Sequence, residues 1–217
     1  PATFRRVLVP LDGSVQSDRV LAPIRSIASA LATDAVLLRV LQPGRGPTDP
    51  LGWEVARRAA QDHLDRTAAD IEESVVAEPW VVEGDPAEEI VRGAQRLGAD
   101  LIALSARGEG CGTGCSLGRT AYRVLQTAEA SVLVVPDGAP SHRHLRRILV
   151  PLDGSRRSEC VLPALVALAR AHGAEAILAH IVGVPQLLPW PAPEPEDLEL
   201  VSRVVGRNTV AASACLG

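Results

Sequence analysis

The sequence predicts a doubly wound α/β fold, in which helices flank a five-stranded parallel sheet, followed by a partial second copy of that fold. Short, nearly continuous apolar runs such as residues 7–11 (VLVPL) are typical of strands buried on both faces of a parallel sheet. These runs alternate with amphipathic helical patterns, which indicates parallel pairing through right-handed crossovers. In addition, residues 5–15 (RRVLVPLDGSV) return at 146–156 as RRILVPLDGSR.

The repeat has the length of a domain. Asp153 lies 141 positions after Asp12, whereas a solenoid unit spans only about 20–50 residues. We therefore expect a complete α/β domain at residues 1–138, a polar linker at 139–145 and the N-terminal half of a second domain at 146–217.

The first half of copy one supplies two strands and two helices. A strand at 7–11 leads through a turn to Ser14, a candidate N-cap for a helix with apolar residues at helical spacing from Val20 to Leu31. A second strand at 35–41 follows. After a Pro/Gly-rich connection, we expect a helix from about Trp53 to Ser74.

The second half completes the sheet of copy one. A third strand spans 80–86, and Asp85-Pro86 opens a third helix, since proline is accepted at an early helical position. A buried fourth strand at 99–106 leads into a glycine-rich loop. A helix from about Arg119 to Ala128 and a fifth strand at 131–136 follow.

Copy two repeats only the first half. Its first strand begins at Ile148, its helix runs to about Ala171, and its second strand runs to Val184. A proline-rich stretch then delays the last helix to about Glu196. Strands three to five have no counterpart in this copy.

Composition limits the partners. The formal charge of −4 and pI near 5.8 give no long-range attraction for polyanions, so we expect neither nucleic acid nor membrane as a partner. No apolar stretch approaches the roughly 20 residues that span a bilayer.

Four cysteines (Cys111, Cys115, Cys160 and Cys215) form no disulfide framework. We expect a soluble cytoplasmic protein with free thiols and no metal site, since Cys111 and Cys115 supply only two ligands.

The loop after strand four is the strongest candidate for a ligand site. Its glycines let backbone N–H groups converge on an anion at the following helix N-terminus; they are Gly108, Gly110, Gly112, Gly114 and Gly118. The alternative is a mobile surface loop. The loop is neither a Walker loop nor a G-x-G-x-x-G motif with a downstream ribose acid.

Together, VLVPLDGS, the strand ending at Val40 and the glycine loop leading to GRTAYRVLQTAEASVLVVP resemble the universal stress protein family. The resemblance implies a Rossmann-like, adenine nucleotide alpha hydrolase-like sheet of order 3-2-1-4-5 that often binds ATP or AMP, here with Mg²⁺ as a possible companion. It also implies a loop of the form G-x2-G-x9-G-S/T. This chain has Ser105-x2-Gly108-x9-Gly118-Arg119, so two of the four fixed positions depart.

Four positions match the family's nucleotide site. By resemblance, Asp12 is the acid that holds the ribose side, and Val40 is the strand-two residue whose backbone meets adenine. Gly108 and Gly118 match two phosphate-loop glycines. An alternative for Asp12, and the favoured one for Asp153, is that the carboxylate only caps the following turn.

Two departures alter that site. Ser105 replaces a glycine, so its side chain occupies space near the sugar, although its hydroxyl could bond the ligand. Arg119 replaces a hydroxyl residue, but it keeps its backbone N–H, Thr120 is adjacent, and a guanidinium can pair with phosphate. We expect weakened or altered nucleotide binding rather than certain loss.

The sequence assembles no nucleophile, base and orienting group. His63, His142 and His144 have no Ser or Cys partner at motif spacing, so we interpret them as solvated. We therefore expect no enzyme, and at most slow incidental ATP hydrolysis.

Two hypotheses for function remain, from different classes. The first is a stress-response module that binds adenine nucleotide. The second is a nucleotide-independent interaction module, acting as a homodimer or an intrachain pseudo-dimer, because strand-five edges mediate pairing in the family and an exposed edge is a template for it. A flavodoxin-like electron carrier is disfavoured, since the turn DGSVQS has a single glycine.

Overall fold

A computed structural model describes residues 4–44, 49–71, 75–108, 117–139, 145–182 and 194–216. The chain divides into two compact units, Pro1–His144 (unit 1) and Leu145–Gly217 (unit 2). The boundary falls inside the stretch for which the sequence predicts a linker.

Unit 1 alternates strands with helices. In chain order, its described elements are β1 (Arg6–Pro10), α1 (Val15–Asp18), α2 (Leu21–Leu31), β2 (Asp34–Leu41), α3 (Pro50–Ile71), β3 (Ala77–Glu83), α4 (Pro86–Leu97), β4 (Leu101–Ser105), α5 (Arg119–Thr127) and β5 (Ser131–Val135). The sheet order is β3-β2-β1-β4-β5, and all neighbours pair in parallel. The predicted doubly wound fold is confirmed.

The strand order reverses between β1 and β4. From β1 the chain builds the sheet outward through β2 and β3, and β4 then starts the other half on the opposite side of β1. The loops that leave β1 and β4 therefore separate at this point and open a crevice at the carboxyl edge of the sheet. Ligands of doubly wound proteins bind at such a crevice.

Two element boundaries differ from expectation for identifiable reasons. The helix predicted from Ser14 to Leu31 is split into α1 and α2, although Ser14 is confirmed as the N-cap, with its Oγ accepting from the Ser17 N–H at 3.1 Å. Pro23 would interrupt a continuous helix because it has no N–H to donate. Strand β3 begins at Ala77 rather than residue 80, because it pairs with β2 from Ala35 onward.

Helices α4 and α5 cover one face of the sheet. Leu8 and Val36 lie at the centre of this face and are 0% and 3% exposed. The residues that pack with them are aliphatic or small and come from three elements: Ala87, Ile90 and Ala94 of α4, Ile102 and Leu104 of β4, and Ala121 and Val124 of α5. We call these three elements the covering layer.

Unit 2 reproduces the start of unit 1. Its described elements are β6 (Arg147–Leu152), α6 (Arg156–Glu159), α7 (Leu162–His172), β7 (Glu175–His180) and α8 (Pro195–Leu216). Strands β6 and β7 pair in parallel, and the pair Leu149↔Ile177 is equivalent to Leu8↔Val36. The predicted partial second copy is confirmed, and its described residues contain no equivalent of the covering layer.

Across the described ranges, no helix combines the length and the apolar character that a membrane span needs.

Equivalent leucines in the two units should respond differently to truncation. Leu8→Ala removes a fully buried side chain, so we expect a loss of about 2–5 kcal/mol in the free energy of unfolding of unit 1. Leu149→Ala is the matched control: Leu149 is 65% exposed, and the expected loss in unit 2 is below about 0.5 kcal/mol. Urea unfolding followed by hydrogen exchange of peptides from each unit measures both values. Equal losses would contradict the difference in burial.

Candidate functional site

A cavity of about 890 Å³ lies at the carboxyl edge of the unit 1 sheet. Its floor is formed by the ends of β1, β2 and β4, and its walls by α3 and by the first turns of α4 and α5. This is the crevice where the strand order reverses.

All seven predicted site residues line this cavity. They come from the end of β1, from β2, from the end of β4 and its loop, and from the start of α5: Asp12, Val40, Ser105, Gly108, Gly118, Arg119 and Thr120. The fold thus brings together residues that are far apart in sequence. Their role in binding a nucleotide stays a prediction.

Asp12 is held between its own turn and the loop after β4. Its Oδ1 accepts hydrogen bonds from the N–H and Oγ of Ser14, at 3.0 and 2.5 Å. On the other side, a β carbon added at Gly108 would overlap Oδ2 of Asp12. A side chain at position 108 would therefore require the Asp12 carboxylate to move.

The N-terminus of α5 faces the cavity without a side-chain cap. Its N-cap is Gly118, whereas Ser14 and Asp85 cap α1 and α4 with their side chains. The Gly118 N–H itself donates to the carbonyl oxygen of Ala106 at 2.8 Å.

The next three residues, Arg119, Thr120 and Ala121, also line the cavity. Helix geometry gives their N–H groups no acceptor within α5. Such donors, together with the helix dipole, attract anions.

The two departures from the family loop have distinct environments. Ser105 is half-buried at the end of β4, and its Oγ–H donates to the carbonyl oxygen of Arg107 at 2.6 Å. Its hydroxyl is therefore engaged with its own loop. Arg119 is exposed at the first position of α5, with Thr120 half-buried beside it.

An ion pair links the two helices that border the cavity. Nη1 of Arg123 in α5 lies 2.8 and 2.9 Å from the two carboxylate oxygens of Asp85, which also caps α4. Burial raises the pKa of Asp85, but hydrogen bonds from the Glu88 N–H and from Arg123 outweigh it and hold that pKa below its ordinary value. The sequence predicted Asp85 as the start of a helix and missed its partner.

Helix α3 forms a wall that sequence reasoning also missed. Trp53, Ala56, Ala60 and His63 line the cavity at helical spacing, and that periodicity was the signal available. Hydrogen bonds from the Trp53 side chain and, with a smaller effect, from the Arg57 guanidinium lower the pKa of Glu83 at the end of β3.

His63 is not simply solvated, as the sequence led us to expect. Its side chain is only 26% exposed, and its Nε2 lies 3.6 Å from a carboxylate oxygen of Asp18. It contributes to the cavity wall because it lies on the same face of α3 as Trp53.

Arg39 of β2 is a further basic residue at the cavity. Its Nη1 donates to the carbonyl oxygen of Leu11 at 3.4 Å. A β carbon added at Gly13, whose φ is +76°, would lie 2.8 Å from the same nitrogen. The guanidinium is therefore packed against the turn that carries Asp12.

Of the cysteines and the linker histidines, Cys160 alone has a described side chain. Cys111, Cys115, His142 and His144 lie outside the described residues, as does the side chain of Cys215, whereas Cys160 is an exposed free thiol. Within the described ranges, no group of three or more His, Cys, Asp or Glu side chains could hold a metal ion.

The chain is similar in sequence to known universal stress proteins. A universal stress protein of Methanocaldococcus jannaschii is 27% identical over 141 residues, covering 61% of this chain and 82% of the relative. A universal stress protein of Thermus aquaticus is 27% identical over 138 residues, covering 61% and 98%.

A solved structure extends the likeness in fold to both units. The universal stress protein from Archaeoglobus fulgidus DSM 4304 superposes with a TM-score of 0.68 at 21% identity, over 94% of this chain and 73% of that one. The model of the universal stress protein family matches residues 3–136 and 144–213. Since these segments cover most of the chain, in both copies, the protein belongs to the universal stress protein family.

Proposed function

We propose that unit 1 is a cytoplasmic stress-response module that binds ATP or AMP in the cavity at the carboxyl edge of its sheet. The observation that carries the proposal is the α5 N-terminus, which presents backbone N–H groups to a cavity lined by all seven predicted site residues. A volume of about 890 Å³ lies within the range of about 300–1,000 Å³ typical of small-molecule sites.

The polarity of the cavity supports one orientation of the ligand. The phosphates belong at the first turn of α5, where the helix dipole favours negative charge. The ribose belongs beside Asp12, which can accept hydrogen bonds from sugar hydroxyls. The base then lies toward Val40 and Trp53, which also line the cavity.

The departures weaken this site without removing its main donors. A backbone N–H group is present whatever the side chain, so Arg119 keeps the backbone donor that a Ser or Thr would have at this position. Its guanidinium adds a charge that can pair with phosphate. Ser105 adds a side chain where the family has glycine. We therefore propose reduced affinity relative to a site with both family residues.

Mg²⁺ fits only as a companion of the nucleotide. Because the described residues contain no cluster of potential metal ligands, phosphate oxygens and water would supply most of its coordination.

We propose binding without a dedicated chemical step. Among the described residues, the carboxylates that line the cavity both have structural partners: Asp12 accepts from Ser14, and Asp85 is paired with Arg123. A general base has to be free to accept a proton from the attacking group. Any ATP hydrolysis would then be slow and incidental.

A second candidate function is a nucleotide-independent interaction module. It is favoured by the position of β5, which lies at the edge of the unit 1 sheet with Val132, Leu133 and Val134 half-buried. An edge strand offers unpaired backbone groups to another chain.

Restoring the family residues should tighten nucleotide binding. We expect Ser105→Gly combined with Arg119→Ser to lower the Kd for ATP by roughly tenfold, or about 1.4 kcal/mol. The first change removes a side chain from the space near the sugar, and the second restores the family's hydroxyl at the start of α5. Calorimetric titration of ATP, with and without Mg²⁺, into the wild type and the double variant measures this.

Each outcome decides between the two functions. Micromolar binding by the wild type supports the nucleotide module. Binding by the double variant alone, or by neither protein, would favour the interaction module.

Gly108 should be essential for the site while contributing little to the fold. In Gly108→Ala, the new β carbon would overlap the Asp12 carboxylate and displace it, so we expect ATP affinity to fall at least about tenfold. Gly206→Ala, in α8, is the matched control, because an added β carbon there meets nothing within 4 Å. Unchanged affinity of Gly108→Ala, with its urea midpoint also unchanged, would exclude Asp12 from the site.

A further inference from the structure

We propose that Asp137 is a positioning residue of the unit 1 site: its carboxylate pairs with Arg19 and Arg107 and thereby holds Gly108 against Asp12. This role rests on the proposed function, because what it changes is the affinity of the site for nucleotide. Of the described residues, Gly108 and Asp12 line the cavity, whereas the three residues of these ion pairs lie outside its lining. Asp137 therefore acts on a ligand through other residues.

The Asp137 carboxylate faces a different arginine with each of its oxygens. Strands β4 and β5 pair in parallel up to Ser105↔Val135. The residues two positions beyond, Arg107 and Asp137, therefore meet at the carboxyl edge of the sheet. Nε of Arg107 lies 2.9 Å from Oδ2, and Nη1 of Arg19 lies 3.9 Å from Oδ1. Asp137 and Arg107 are 23% and 31% exposed, so water screens their attraction less than that of a fully exposed pair.

A tight turn fixes the place of Asp137 beyond β5. The Ala139 N–H donates to the carbonyl oxygen of Pro136 at 3.2 Å, which closes a four-residue β-turn. The third residue of the turn, Gly138, has a φ of +78°, a conformation that glycine adopts without steric cost. Asp137, the second residue, is thus held at the carboxyl edge of the sheet.

The two ion pairs reach both sides of the contact between Gly108 and Asp12. Arg107 directly precedes Gly108 in the chain. Arg19 is the C-cap of α1, and the N-cap of the same helix, Ser14, donates to Asp12. One carboxylate therefore links the turn that leaves β1 to the loop that leaves β4, and it opposes their separation.

Main-chain hydrogen bonds hold the base of this loop independently of Asp137. The Ala106 N–H donates to the carbonyl oxygen of Val135 at 2.7 Å, and the Ala106 carbonyl oxygen accepts from the Gly118 N–H at 2.8 Å. Loss of the Asp137 charge should therefore loosen the passage of Gly108 past Asp12 and leave the sheet folded.

Calorimetric titration of ATP into the full chain tests this role. We expect Asp137→Asn to raise the Kd at least about fivefold, with the urea midpoint unchanged because partly exposed ion pairs contribute little to stability. Asp137→Glu keeps the charge and should restore most of the affinity. Glu89→Gln is the matched control: Glu89 is 14% exposed, pairs with Arg92 on α4, and lies outside the described lining of the cavity. It should bind ATP as the wild type does.

Hydrogen exchange without nucleotide gives a second, independent readout. In Asp137→Asn, we expect the amides of Ser14 and Gly118 to exchange at least about fivefold faster, while that of Leu8 in the centre of the sheet is unchanged. Faster exchange at these two amides alone supports the role of Asp137 even if the wild type binds no nucleotide, a result that would overturn only the proposed function.

Two results would overturn the role of Asp137 and leave the proposed function standing. The first is nucleotide binding by the wild type with both the Kd and the exchange rates unchanged in Asp137→Asn. The second is an equal loss of affinity in Glu89→Gln, since the neutralisation of any paired carboxylate in unit 1 would then suffice.

Discussion

The close passage of the Gly108 backbone against the Asp12 carboxylate is the constraint on which the site depends. It joins the loop that leaves β4 to the turn that leaves β1, at the point where the strand order reverses. Asp12, Gly108 and the first residue of α5, Arg119, all line the cavity. Because the φ of Gly108 is not left-handed, a β carbon at this position is opposed by the space that Asp12 occupies and not by the backbone conformation.

The Asp-Gly-Ser turn occurs in both units, so its role in folding can be distinguished from a role in ligand binding. Asp153 in unit 2 accepts from the Ser155 N–H at 2.9 Å, as Asp12 accepts from the Ser14 N–H at 3.0 Å. Hydrogen bonds from the side chains of Ser155 and then Ser158 hold the pKa of Asp153 below its ordinary value. Unit 2 has no described counterpart of β4 and α5, so the Asp-Gly-Ser turn forms without them. What distinguishes Asp12 is the approach of Gly108.

Local signals made much of this structure predictable. The Ser14 and Asp85 caps, the buried strands and the gathering of Asp12, Val40 and Gly118 at one edge all follow from short sequence patterns and the rules of parallel sheets. The break between α1 and α2 was missed, although Pro23 was a signal for it in the sequence.

The charged contacts of the site were not predictable in the same way. Arg123 meets Asp85 across 38 positions of sequence, and His63 meets Asp18 through the packing of α3. Their partners are decided by how helices pack on the sheet, which periodicity does not specify. The exposure of Leu149 was likewise hidden, since its local sequence is almost that of the buried Leu8.

The most direct measurement is the ¹H–¹⁵N spectrum of the full chain during titration with AMP, with adenosine as the control. If the first turn of α5 holds the phosphate, the amide signals of Arg119, Thr120 and Ala121 shift with AMP and stay in place with adenosine. Shifts confined to other parts of unit 1, or equal shifts of these three amides with adenosine, would contradict the account.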